Sequence, residues 1–220
     1  MALTTQFTDD FNHAITAPTF YPNVFSTPTS VGSPVFQSQP ASLEVISAGS
    51  NIGVRKNITG SPVMPWTAFA WQADANASVT SAATIVALHP AVGNEFRIAI
   101  GTDGVIHAQF TAGSVVNGST YATYGGAGTW LWIEAKADFN GTTYTGYWRI
   151  NDVDQTNATK SGETASSCDY MQLISYSGGG NLTWHAGNWN GGYADNSTDW
   201  MGTPSTSTPQ LLVPVRRRGG

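Results

Sequence analysis

The chain is predicted to fold as an all-β, two-sheet antiparallel sandwich with an extended C-terminal tail. Three observations lead there. Apolar and polar residues alternate with period two in one segment after another, those segments are bounded by Gly, Asn, Asp and Pro, and no window sustains the i, i+3, i+4, i+7 spacing of an amphipathic helix. At 220 residues one domain suffices, because all-β sandwiches commonly reach this length undivided. Residues 1–200 are assigned to the sandwich and 201–220 to a linker and tail.

In chain order the candidate strands are 5–11, 42–47, 66–73, 84–89, 95–101, 105–111, 129–139, 142–151, 170–176 and 182–187. Two hairpins are legible down to register. Around Asn140-Gly141, a dipeptide suited to the two positive-φ positions of a type I′ turn, Leu131 is expected opposite Ile150, Ile133 opposite Trp148 and Ala137 opposite Tyr144. The other face then pairs Trp132 with Arg149 as a cation–π contact, Glu134 with Tyr147 and Lys136 with Thr145. Around Thr102-Asp103-Gly104, Gly at the third loop position suits a turn closed by a G1 bulge. Ile100 then faces Ile106, Ile98 faces Ala108 and Phe96 faces Phe110, leaving Arg97, Ala99 and His107 on the opposite side. Trp66 and Trp71 fall on opposite faces of one strand, so at least one is expected to be exposed or covered by a partner.

Charged residues make up 10% of the chain and the formal net charge is -5. A surface of neutral hydroxyls and amides suits packing into an assembly or facing carbohydrate, since such groups are easier to desolvate than ions. An acidic balance argues against nucleic-acid binding, which needs a basic field. No basic stretch leads into an apolar run at the N-terminus, and no stretch reaches the length of a membrane span, so neither a signal peptide nor a membrane partner is expected. The single cysteine, Cys168, excludes an internal disulfide and reads as a buried small hydrophobe.

The segment Gly128-Thr129-Trp130-Leu131-Trp132-Ile133-Glu134-Ala135, followed by Tyr147-Trp148-Arg149-Ile150 and a turn at Asn151-Asp152, resembles the laminin-G-like branch of the concanavalin A-like lectin/glucanase jelly rolls. The opening Phe7-Thr8-Asp9-Asp10-Phe11-Asn12 and the Arg-rich, Gly-ending terminus resemble virion proteins of tailed bacteriophages that carry this fold. The resemblance implies a jelly roll and carries over no catalytic residue.

Retaining glucanases of this fold set carboxylates on alternate positions of one strand so that two of them flank the sugar about 5–5.5 Å apart. Here Glu44, Glu95, Glu134 and Glu163 stand alone, and the i, i+2 pair Asp152 and Asp154 sits at a turn. Nucleophile-elbow, phosphate-loop and zinc-protease motifs are absent, and His13, His89, His107 and His185 have no i, i+2 or i, i+4 partner among themselves. A non-enzymatic protein without a cofactor is therefore expected. Asp195, Asn196 and Asp199 carry the oxygen ligands of a calcium loop, although their spacing does not define one. Trp184, His185, Asn188, Trp189, Asn190, Tyr193, Asp195 and Trp200 combine aromatic platforms with amides and a carboxylate, the chemistry of a glycan site.

The tail joins a Pro/Ser/Thr linker to Leu211, Leu212 and Val213 and then to Arg216, Arg217 and Arg218. An apolar extension followed by a basic triplet is expected to dock on a neighbouring subunit. The resulting expectation is a structural protein located in the virion, made in the host cytoplasm and assembled as a homo-oligomer. It is placed at the tail tip or on a fibre and touches host-surface glycans. A capsid decoration protein, a free carbohydrate-binding module and a glycoside hydrolase or lyase are the alternatives.

Overall fold

A computed structural model describes residues 3–13, 15, 21, 23–26, 28–37, 39–46, 51–74, 83–176 and 182–204. The strands are β1 (Thr4–Asp9), β2 (Asn23–Phe25), β3 (Thr29–Val31), β4 (Ser42–Ile46), β5 (Ile52–Asn57), β6 (Pro65–Ala73), β7 (Ala83–Pro90) and β8 (Phe96–Ile100). There follow β9 (Val105–Phe110), β10 (Val116–Thr120), β11 (Leu131–Asp138), β12 (Thr143–Ile150), β13 (Val153–Asp154), β14 (Ala158–Ser161), β15 (Cys168–Ser175) and β16 (Thr183–Tyr193). They form two antiparallel sheets packed as a jelly-roll sandwich. A nine-stranded sheet runs β13-β12-β11-β6-β16-β4-β3, with β1 on β16 and β14 on β12. A seven-stranded sheet runs β10-β9-β8-β7-β15-β5-β2.

The inner faces meet in one core that includes Phe69, Trp71, Ile98, Phe110, Ile133, Trp148, Leu173, Trp184 and Trp189. Cys168 is buried and the surrounding apolar side chains push its thiol well above the ordinary range, which fits a packing role. The β8–β9 hairpin has the register its sequence predicts: Phe96 opposite Phe110, Ile98 opposite Ala108, Ala99 opposite His107 and Ile100 opposite Ile106, with Gly104 at φ 73°.

The β11–β12 hairpin departs by two residues. Ile133 faces Ile150, Glu134 faces Arg149 and Ala135 faces Trp148. An even shift keeps every side chain on its expected face, so Ile133 and Trp148 are both in the core. The cause is Phe139. Its backbone donates to the Val63 carbonyl and accepts from Ser166 instead of completing the ladder, and its buried ring packs edge-on against Tyr144 at 5.0 Å. The loop is thereby too long for a two-residue turn, and Gly141, not Asn140, adopts positive φ. The two-residue turn with both central residues at positive φ lies one strand later, where Asn151 (φ 49°) and Asp152 (φ 64°) join β12 to β13. The expected Trp132–Arg149 contact is replaced by a guanidinium facing Glu134, and the Trp132 ring stacks on Phe36 at 6.0 Å.

The outer face of the nine-stranded sheet is also covered. Phe36, Trp66, Ala68, Ala70, Trp132 and Ala194 form a second buried cluster roofed by Leu3, Met64 and Trp130. Trp71 thus lies in the main core and Trp66 in this one, so the chain itself, rather than a partner, covers both tryptophans. The opening segment is pinned by Asp9. Its Oδ1 accepts the Phe11 N–H at 2.8 Å and lies 3.0 Å from His13 Nε2. Its Oδ2 accepts the Tyr21 hydroxyl at 2.6 Å and lies 3.4 Å from Lys56 Nζ. Here the Asp-Asp-Phe-Asn opening has a physical role: a buried carboxylate gathers the first strand, the following loop and β5. The tail residues Leu211, Leu212, Val213, Arg216, Arg217 and Arg218 lie outside the described residues.

Candidate functional site

The aromatic run expected to bind glycan is mostly interior. Trp184 and Trp189 are each 0% exposed, and His185 and Asn190 are buried beside them. The two tryptophans are five positions apart, so a regular strand would send them to opposite faces. A bulge between Gly187 and Asn190, with Asn188 at φ 49°, re-phases β16 and turns both rings into the core. Trp189 packs edge-on against Phe7 at 4.8 Å and donates its Nε1–H to Thr67 Oγ1 at 2.8 Å. Neither ring can serve as a sugar platform. Tyr193 is half-buried in the pairing with β1, Asp195 is exposed, and Trp200 alone of the three tryptophans reaches the surface.

The calcium expectation is corrected as well. The carbonyls of Asn196, Ser197 and Asp199 do converge on a cation, but it is the Lys136 ammonium, at 3.4, 2.8 and 2.5 Å. Asn196 and Asp199 bond each other through their side chains at 2.8 Å, and among the described residues no three His, Cys, Asp or Glu groups come together as metal ligands.

The open polar surface is the outer face of the seven-stranded sheet. Pairing registers align Asn23, Arg55, Gln172, Ala87, Arg97 and Gln109 in one row across β2, β5, β15, β7, β8 and β9. The next row places Asn57, Tyr170 and His89 side by side. Ala87 is the small member of its row, so the sheet is low there and larger side chains rise around it. The result is a 360 Å³ groove walled by Arg55, His89, Glu95, Tyr170, Gln172 and Tyr176, with Phe25, Asn51 and Ile174 at one end.

Within the groove the groups form one connected set. The Tyr170 ring stacks on His89 at 4.3 Å and carries the Arg55 guanidinium 3.5 Å from its centroid. Burial outweighs the pull of Arg55 and holds the Tyr170 phenol above its ordinary range, so it is a neutral proton donor at physiological pH. His89 Nδ1 lies 2.8 Å from the Pro90 carbonyl, which can only accept, so the ring proton of the neutral imidazole sits on Nδ1 and Nε2 is left as the acceptor. Glu95 Oε2 stands 3.9 Å from that Nε2.

Glu95 is 7% exposed and ion-paired with Arg97, whose guanidinium also lies 4.4 Å from the Tyr176 ring centroid. Tyr176 Oη is 3.0 Å from Glu95 Oε2 and 2.9 Å from Gln172 Oε1. Its one proton serves only one acceptor, and the carboxylate is the stronger. Turning the Gln172 amide makes the second contact an N–H donated to the phenol oxygen. Burial and then the Glu95 charge push the Tyr176 phenol well up, fixing it as a structural donor.

Arg97, which joins this set through Glu95 and Tyr176, was legible in the sequence as part of the outward side of the β8–β9 hairpin. The remaining members were not, because β5, β15 and β7 are sheet neighbours only through long crossovers. The signal available was outward polar alternation, Arg55 with Asn57 and Tyr170 with Gln172.

No protein-family model matches the chain, and no curated protein matches it in sequence. Solved structures share the fold. The cellulose-induced protein Cip1 superposes with a TM-score of 0.60 at 11% identity, over 89% of this chain and 100% of that one. Alginate lyase vAL-1 from Chlorella virus superposes at 0.58 and 9% identity, over 87% and 100%. A botulinum neurotoxin type C structure, described as dependent for cell entry on interaction with two ganglioside molecules, superposes at 0.53 and 12% identity, with 79% of this chain matching 43% of that one. At such identities the likeness is one of fold. It nevertheless corrects the expectation of a non-enzymatic protein, since this architecture carries a polysaccharide lyase as well as binding domains.

Proposed function

We propose that the chain acts on an anionic polysaccharide at the open face of the seven-stranded sheet, cleaving it by β-elimination. The observation that carries this reading is the stack of Arg55, Tyr170 and His89 beside a carboxylate already neutralised by Arg97. Glu95 and Arg97 form an ion pair, the Arg55 guanidinium lines the groove over the Tyr170 ring, and the ligand chemistry that complements a guanidinium is a uronate carboxylate. Hydrolysis by two carboxylates is unsupported, because Glu95 is the one carboxylate among the described residues lining the groove. Elimination needs different groups: a cation on the substrate carboxylate, a base and an acid. Arg55 holds the carboxylate. His89 Nε2 takes the proton from the carbon bearing it, with Glu95 facing the imidazolium that forms. The electron pair becomes a carbon–carbon double bond, the glycosidic carbon–oxygen bond breaks, and the Tyr170 hydroxyl protonates the departing oxygen.

Lyase and binding neighbours of the same fold support a carbohydrate reading. A virion role stands as a further proposal on the sequence features alone, and docking of the tail belongs with it. The test is incubation with a panel of polyuronates, followed by the ultraviolet absorbance of unsaturated products. Arg55→Met is expected to lower kcat/KM about tenfold or more, the loss of one charge-assisted contact. Absence of both cleavage and binding across the panel, or an Arg55→Met variant indistinguishable from the parent, would overturn the proposal.

A further inference from the structure

A second groove lies on the other side of the molecule, at the edge of the nine-stranded sheet, with a volume of 690 Å³. Its walls come from β12, the β13–β14 connection and the segment 197–200. That segment is held with unusual firmness for the end of a sandwich. Glu134, 2% exposed, accepts the N–H groups of Met201 and Gly202 at 2.8 and 2.9 Å. Lys136, fully buried, donates to three consecutive-segment carbonyls and lies 3.9 Å from the centroid of the Trp200 ring. Burial lowers its ammonium to about 8 against the opposing carboxylates of Asp199 and Glu134, and it raises the Glu134 carboxyl.

Burying a carboxylate and an ammonium is costly unless both are paired, and here both serve to fix one short stretch of backbone. What they fix in place is Trp200. The ring walls the 690 Å³ groove on one side and a 520 Å³ groove on the other.

We propose that the first of these grooves is a separate binding site for a neutral glycan segment. Its volume lies in the usual range for ligand sites of about 300–1,000 Å³. The charge within it is internally cancelled: Arg149 Nε lies 3.0 Å from Asp154, another nitrogen lies 3.8 Å from Glu134, and a third donates to the Asp152 carbonyl. The Nε makes no hydrogen bond, but two carboxylates face this one guanidinium, and a further anion would be repelled by both. What the walls offer instead is the Trp200 indole beside the Tyr147 phenol, the Gln155 and Asn157 amides and the Thr198 hydroxyl. A rigidly held aromatic flanked by amides and hydroxyls matches the apolar face and the hydroxyl rim of an uncharged sugar.

The site shares no residue with the groove on the seven-stranded sheet, and its test reads binding rather than turnover, so the two readings succeed or fail separately. Intact protein is titrated by calorimetry and tryptophan fluorescence with neutral oligosaccharides: gluco-, manno- and galacto-configured hexamers. At least one series is expected to bind. Asn157→Ala alters an exposed amide that the fold does not use, and is expected to weaken that binding about fivefold to tenfold, the worth of one hydrogen bond. Trp200→Ala is expected to abolish it. If no neutral oligosaccharide binds, or if Asn157→Ala binds as tightly as the parent, the proposal is wrong.

Discussion

Replacing His89 with alanine is expected to lower turnover of a polyuronate by about 10²–10⁴-fold, the usual contribution of a positioned general base. KM should move much less, because Arg55 rather than the imidazole holds the substrate carboxylate. One hydrogen bond sets the tautomer of His89. Donation from Nδ1 to the Pro90 carbonyl at 2.8 Å leaves Nε2 unprotonated in the neutral ring and turned toward Glu95. Tyr170→Phe, which keeps the stack and removes the acid, should fall by a comparable factor. A thermal transition within a few degrees of the parent would show that His89 acts on chemistry rather than on folding. Turnover that persists in both variants would place the reaction at other residues and overturn the assignment of His89 and Tyr170.

The largest effect on stability is expected at Asp9. Asp9→Ala should cost about 3–5 kcal/mol, the range seen when one partner of a buried charged network is deleted. The carboxylate is 4% exposed and meets the Phe11 amide, the Tyr21 hydroxyl, His13 and Lys56. Removing it takes from three chain segments the one buried acceptor on which they converge. Chemical denaturation with linear extrapolation measures the loss. Asp9→Asn keeps the size and part of the acceptor capacity and should fall between. A change below about 1 kcal/mol for Asp9→Ala would show that the opening segment is held by Phe7 and Phe11 alone.

How much of this was readable beforehand varied with the distance over which the determining contact acts. The β8–β9 hairpin was fully legible because its register depends on an adjacent Gly-closed loop and on its own alternation. In β11–β12 the faces were legible but the pairing was not. Phe139 is diverted by Val63 and Ser166, residues that no local pattern brings near it. Trp184 and Trp189 were grouped by composition, which does not tell which way a side chain faces, and one residue at Asn188 reverses the parity of β16 and turns both rings inward. The polar groove escaped notice for a topological reason. Arg55 and Gln172 are paired neighbours whose strands become adjacent only when the sandwich closes. β5 itself was missed because Ile52-Gly53-Val54-Arg55-Lys56-Asn57 contains a glycine and two bases, although Val54 is buried.

Covering the nine-stranded sheet on both faces has a consequence for how the molecule opens. β6 and β11 are paired centrally and buried above and below, β6 along its whole length, so no small fluctuation bares their amides. Deuterium should reach those protons only through global unfolding, making them the slowest to exchange. β9 and β10, at the margin of the sheet with one open face, should exchange through local opening. The protein then divides into a slow slab and a faster one, and the polar groove belongs to the second.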